Sequence, residues 1–193
     1  DVRYTRDLID QIARLMPVDQ TRVYATGLSS GGFLSNRLGL ELSDRIAAIA
    51  PVAGVLDESL IGAPPHPVPV AAFHGTADTT IRYAGRDGTQ QEGVAQSLLV
   101  GGPHPGAEAS IGRWAAMNGC GNGTQTTMLP DKDPGDGTRV ERVDYTQCPA
   151  GVEVVLYRIV GGAHAWAGGT GEGQSLSRGE TETRDIFAAE VMW

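Results

Sequence analysis

A chain of 193 residues, 40% hydrophobic and 20% charged, is long enough for one domain with a real core and short for two. Its net charge of -8, with no Lys/Arg cluster to offset it, argues against nucleic acid and anionic membrane surfaces as partners. No apolar run approaches the roughly 18 residues that cross a bilayer, so a single globular domain over 1–193 is expected.

In chain order, residues 2–15 set Leu8, Ile9, Ile12 and Leu15 on one helical face, and Pro17 ends that helix. R-V-Y-A-T-G-L at 22–28 reads as a short buried strand. A helix follows at once, from 31 to about 42, with Phe33, Leu34, Leu38 and Leu42 spaced for a core face. The small apolar run R-I-A-A-I-A-P-V-A-G, 45–54, suits a parallel strand covered on both faces. A Pro-rich loop leads to a third strand at 68–75. Residues 76–109 are a Gly/Pro-punctuated excursion, 109–118 a helix, 119–149 a loop, 152–160 a fourth strand and 181–193 a helical tail. Strands alternating with helices predict an α/β fold built on a parallel sheet. The stretches 83–109 and 121–150 are long for structureless loops and are candidate walls of a cleft.

T-G-L-S-S-G-G at 26–32 fits G-x-S-x-G and falls between a predicted strand and helix, where a nucleophile elbow belongs. Residues two before and two after the nucleophile approach closely, so small side chains are needed there. Gly27 and Gly31 meet this if Ser29 is the nucleophile; with Ser30 in that role, Leu28 would occupy a crowded position. Ser30 is then expected to offer its backbone N–H to an oxyanion at the start of the helix.

A serine hydroxyl needs a base, and His164 in G-G-A-H-A-W-A-G-G follows the fourth strand on a glycine-flanked loop. His66 and His104 lie in Pro-rich loops and are expected to be solvated, and His74 is read as structural. The carboxylate that orients the base is expected to be Asp78, just past the third strand, with Asp57 as competitor. The chain order Ser29, Asp78, His164 is that of the α/β-hydrolases. Trp166 is a candidate wall of the substrate pocket and equally a core residue. Cys120 and Cys148 are expected to form a disulfide, with two free thiols as the alternative; no second Cys/His pair has metal-ligand spacing. The bridge would point to an oxidising compartment, secreted or periplasmic.

The ordered blocks T-G-L-S-S-G-G, A-A-I-A-P-V-A-G, H-G-T-A-D, W-A-A-M-N-G-C and G-G-A-H-A-W-A-G resemble the polyhydroxybutyrate depolymerase-like family, related to secreted feruloyl and acetyl xylan esterases. The resemblance implies an α/β-hydrolase-type sheet and carboxylic-ester hydrolysis through an acyl-enzyme, with no metal or organic cofactor. It also implies that Cys120 and Cys148 pair. Trp166-Ala167-Gly168 departs from the family's W-P-G, and Arg82 stands where proline is frequent. A serine peptidase of the same fold, or a binding protein on a hydrolase scaffold, is the competing reading. The family has strands upstream of the helix that opens this sequence, including the loop that gives a second oxyanion N–H. Residues 22–27 are therefore expected to form a sheet edge, covered by a second copy of the chain or by upstream residues of a longer parent protein.

Overall fold

The computed structural model describes residues 1–57, 59–60, 62–87, 103–169 and 181–192. The elements are α1 (Val2–Leu15), β1 (Tyr24–Leu28), α2 (Ser30–Glu41), β2 (Ala48–Val52), β3 (Val70–Gly75), β4 (Gly85–Arg86) and β5 (His104–Pro105). They continue with α3 (Ala107–Met117), β6 (Thr124–Met128), β7 (Arg139–Tyr145), β8 (Val154–Val160) and α4 (Ala188–Val191). A six-stranded sheet runs in the order β1-β2-β3-β8-β7-β6. Its first four strands are parallel, and β7 and β6 join antiparallel. The architecture is α/β, and the carboxyl ends of β1, β3 and β8 share one edge of the sheet.

Successive residues of the parallel strands point to opposite faces, and both faces are covered. On one side Ile49, Val70, Ala72 and Leu156 pack with Leu38 and Leu42 near α2 and with Ile111 and Trp114 of α3. Trp114 is fully buried and donates its indole N–H to Asn36 Oδ1 at 2.7 Å, tying α3 to α2. On the other side Ala50, Val52, Phe73, Tyr157 and Ile159 meet Ile186 and Ala188. Phe73 and Tyr157 stack there with ring centroids 4.7 Å apart. Burying each of the larger apolar side chains among them contributes about 1.5–3 kcal/mol.

Three expectations need correction. The Cys120–Cys148 loop is not a loop: it holds the hairpin β6–β7, which widens the sheet. Its pattern is hard to read because β7 turns one valine to each face, Val140 and Val143, among charged residues, while β6 is exposed throughout. Among the described residues of the tail only Ala188–Val191 are helical; Ile186 lies outside the helix and Phe187 caps it in extended backbone. His104 is buried, because β5 pairs with β4 and sets it opposite Arg86. The expected wall at 83–109 lies partly outside the described residues.

The amino-terminal side is thinly covered. None of α1's residues is buried, and Leu8, Ile12 and Leu15 of its apolar face are exposed. Val2 and Ile9 touch the core, and ion pairs join Arg6 to Asp44 and Asp10 to Arg45. Among the described residues β1 pairs with β2 and has no strand on its other side, as expected for an edge. A cavity of about 600 Å³ opens over the amino-terminal parts of the strands, bounded by Tyr24, Thr26, Ala48, Ala71, Tyr157 and Met192 among others. Neither Ser29, Asp78 nor His164 lines it. It is a trough on the sheet face, away from the carboxyl edge. No helix among the described residues is long and apolar enough to cross a membrane.

Candidate active site

β1 ends at Leu28 and α2 begins at Ser30, so Ser29 alone makes the turn between them. Its backbone sits at φ 58°, ψ -118°, a conformation that a non-glycine residue adopts only when its surroundings impose it. The surroundings do so here. The Ser29 N–H is tied to the Val52 carbonyl of β2 at 2.9 Å, and the Ser29 carbonyl accepts the Phe33 N–H at 3.0 Å to start the helix. The close approach behind the turn is real, but the glycines that permit it are not both the expected ones. A Cβ on Gly27 would stand 2.8 Å from the Gly31 backbone, whereas one on Gly31 would meet nothing within 4 Å. The second crowded position is Gly32, where a Cβ would meet the Val52 carbonyl oxygen at 2.8 Å. The first turn of α2 leans on the end of β2, and Gly32, not Gly31, faces that contact. Ser30 is the first residue of α2, so its N–H has no partner within the helix and stands beside Ser29.

Two strands away, about 10 Å across the sheet, β3 runs into the turn that carries Asp78. Oδ1 of Asp78 accepts the N–H groups of Thr80 and Ile81, each at 2.8 Å. Oδ2 accepts the Nδ1–H of His164 at 2.8 Å. Burial alone would raise this carboxyl, but the hydrogen bond from His164 and the nearby His74 N–H outweigh it and lower it to about 2. The group is therefore an ionised acceptor near neutral pH. Nδ1 must carry the proton, and the Nε2 of a neutral imidazole is left as an acceptor. Nε2 is buried and has no hydrogen-bond partner among the described residues. His164 follows β8, yet it sits over the end of β3 because its loop folds back. The Gly162 carbonyl accepts the Ala77 N–H at 2.9 Å, and the Gly161 N–H bonds Thr76 Oγ1 at 2.9 Å. The fold thus joins Asp78 to His164 directly and sets Ser29 on the same edge of the sheet.

A strained serine at a strand-to-helix turn, an Asp–His pair at the same edge and a disulfide form a combination that can be compared with known proteins. No protein-family model matches the chain. Feruloyl esterase B of Piromyces equi is 37% identical over 172 residues, which cover 86% of this chain and 29% of that protein. Feruloyl esterase D of Neurospora crassa is 27% identical over 166 residues, 85% of this chain and 47% of the relative. The chain is related to feruloyl esterases. A third relative, the bifunctional acetylxylan esterase/xylanase XynS20E of Neocallimastix patriciarum, is 33% identical over 85 residues, 43% of this chain and 12% of that protein. The chain spans less than half the length of each of these relatives.

In this feruloyl esterase-like chain Cys120 and Cys148 are bonded, joining the end of α3 to the connection between β7 and β8. Their Cα atoms are 3.8 Å apart, nearer than the roughly 4.4–6.8 Å usual for such bridges. The two backbones are already drawn together by the bond from the Gly121 N–H to the Thr146 carbonyl. Trp166 is half-buried and packs on the Phe73–Tyr157 side of the sheet. Asp57, the competing acid, is exposed and caps its own turn through the Ser59 N–H. His66 is exposed, as expected. Among the described residues no group of three or more His, Cys, Asp or Glu side chains is arranged to hold a metal ion. Gly75 escaped the reading of the sequence, and His74, read as structural, lies closer to the acid than that reading foresaw. Gly75 lies where a Cβ would stand 2.2 Å from the Gly162 carbonyl oxygen, so its hydrogen lets the two site loops touch. His74 is buried with its Nε2 3.4 Å from Asp78 Oδ2. Only the H-G-T-A-D spelling, with both residues just before the acid, could have hinted at either.

Proposed function

We propose that this chain is the catalytic portion of a serine carboxylic ester hydrolase on an α/β-hydrolase-type sheet, with Ser29, Asp78 and His164 as its triad. The observation that carries the reading is the hydrogen bond from His164 Nδ1 to the ionised Asp78, with Nε2 unpartnered at the sheet edge that bears Ser29. Ser29 Oγ attacks the ester carbonyl carbon while His164 Nε2 takes its proton. Asp78 holds the tautomer and stabilises the imidazolium without accepting the proton. The Ser30 N–H, at the positive end of α2, faces the oxyanion. As the tetrahedral intermediate collapses, His164 returns the proton to the leaving alcohol. A water molecule, deprotonated by the same nitrogen, then releases the acid from the acyl-enzyme.

The relatives' names support an aryl ester such as a feruloyl ester as substrate, and short-chain and polyester-type esters fit the same chemistry. The sequence at 83–109 and 121–150 spells no long amphipathic, Leu-rich helix of the kind a lipase lid uses, so a preference for short or aryl acyl groups is expected. The disulfide supports a secreted or periplasmic setting. A second oxyanion N–H is expected from upstream residues or from a second copy. A lost donor of this kind lowers kcat by about 10²–10³-fold.

Hydrolysis of p-nitrophenyl acetate and methyl ferulate tests the reading. Ser29→Ala should lose roughly 10⁴-fold in kcat with the fold retained. Full activity in that variant would sink the assignment, and a rate series peaking at dodecanoyl or longer esters would contradict the specificity. A protein that binds such esters without turning them over would favour the binding-protein reading.

A further inference from the structure

His74 touches both the 78–81 turn and the carboxylate that this turn carries. It is the penultimate residue of β3, and its side chain is buried together with that of Asp78. Its Nε2 lies 2.7 Å from the Ile81 carbonyl oxygen. A carbonyl can only accept, so Nε2 carries a hydrogen and donates it. The same nitrogen is 3.4 Å from Asp78 Oδ2, the oxygen that receives the Nδ1–H of His164. The ring is flanked by Tyr83, edge to face, with centroids 5.8 Å apart.

These contacts close a small ring of structure around the acid. The Thr80 and Ile81 N–H groups grip Asp78 Oδ1 only while the 78–81 turn keeps its shape. That shape is held from inside by the bond from His74 to the Ile81 carbonyl. The remaining polarity of the His74 N–H falls on Oδ2. Both carboxylate oxygens are thus oriented, and the one bonded to His164 cannot swing away without losing the second imidazole as well. We propose that His74 is a positioning residue for the hydrolysis. It fixes the Asp78 carboxylate, and through it the His164 ring, without touching substrate. The proposal rests on the triad reading above.

The test is steady-state kinetics on p-nitrophenyl acetate with the full chain, alongside circular dichroism and thermal melting. His74→Leu keeps bulk and removes the donor. It should lower kcat by roughly 10- to 100-fold, because misplacing a reacting group by an ångström costs about that much, and leave KM within about twofold. His74→Gln can place an amide N–H near the position of Nε2 and should recover most of the loss. Combined with Asp78→Asn, His74→Leu should have little further effect, since its action runs through that carboxylate. If the leucine variant does not fold, His74→Asn, whose shorter amide cannot reach the Ile81 carbonyl, replaces it with the same expectation. Folded donor-less variants with wild-type kcat would overturn the proposal, as would a glutamine variant no better than leucine, or full additivity with Asp78→Asn. Ser29→Ala, measured in parallel, separates the two readings. If it is fully active the triad reading fails, whereas an inactive Ser29→Ala beside a fully active His74→Leu removes only the role of His74.

Discussion

Gly75→Ala adds one methyl group at the point where the two site loops touch. The backbone at Gly75 is not in the left-handed region, so alanine carries no conformational penalty of its own. The effect is steric. The new Cβ would stand 2.2 Å from the Gly162 carbonyl oxygen and 2.5 Å from that of Ala163, and both are backbone atoms without a rotamer to change. Ordinary contact begins at 3.4 Å, so the 161–164 loop must retreat by about 1 Å from the end of β3. The Asp78–His164 bond, 2.8 Å long, joins the same two segments of chain. A shift of that size takes the pair beyond hydrogen-bonding distance and should lower kcat roughly 100-fold. Overpacking of this kind costs about 1–3 kcal/mol of stability, a fall in Tm of a few degrees at about 2–4 °C per kcal/mol for a chain of this size. The assay is kcat on p-nitrophenyl acetate together with a thermal melt. An alanine variant with native kcat and native Tm would show that the loops do not need this contact, and the account of how His164 is delivered would fall.

Acid should weaken the fold through Asp78. Its folded pKa of about 2 lies below the ordinary 3.8, so its contribution is complete above about pH 4 and is lost as pH falls toward 2. The amount is roughly 2 kcal/mol. Urea midpoints at pH 6 and pH 2.5 should differ more for the native chain than for Asp78→Asn, and equal differences would refute the linkage. Thiol titration of the unfolded, unreduced protein should find no free thiol. Cys120→Ser/Cys148→Ser should lose about 3–4 kcal/mol in urea unfolding, given a cross-link that closes 28 residues; two free thiols would contradict the bridge. The open side of β1 is expected to be covered, by a second copy or by upstream residues. Protection of the amides at 24–28 that grows with protein concentration would mark a second copy. A monomer with unprotected edge amides and ordinary ester turnover would refute the expectation.

What the sequence determined by itself is what depends on near neighbours. The elbow is such a case: a strand, a G-x-S-x-G turn and a helix start lie within a dozen residues, so the position of Ser29 could be read before any fold existed. The parallel strands at 45–54, 68–75 and 152–160 were legible for a similar reason, because burial on both faces makes them largely apolar. The hairpin β6–β7 was not. Its edge strand is polar and its inner strand buries Val140 and Val143 on opposite faces, so no alternation survives in the letters. At the site the same division holds. Candidates for acid and base could be ordered along the chain, but Asp78 and His164 are 86 residues apart, and only the folding back of the 161–164 loop over β3 made them a pair. Gly32 rather than Gly31 and Gly75 against Gly162 were decided the same way. Each is a contact between backbone atoms brought together from different strands or loops, and packing at that range leaves no periodic mark in the sequence.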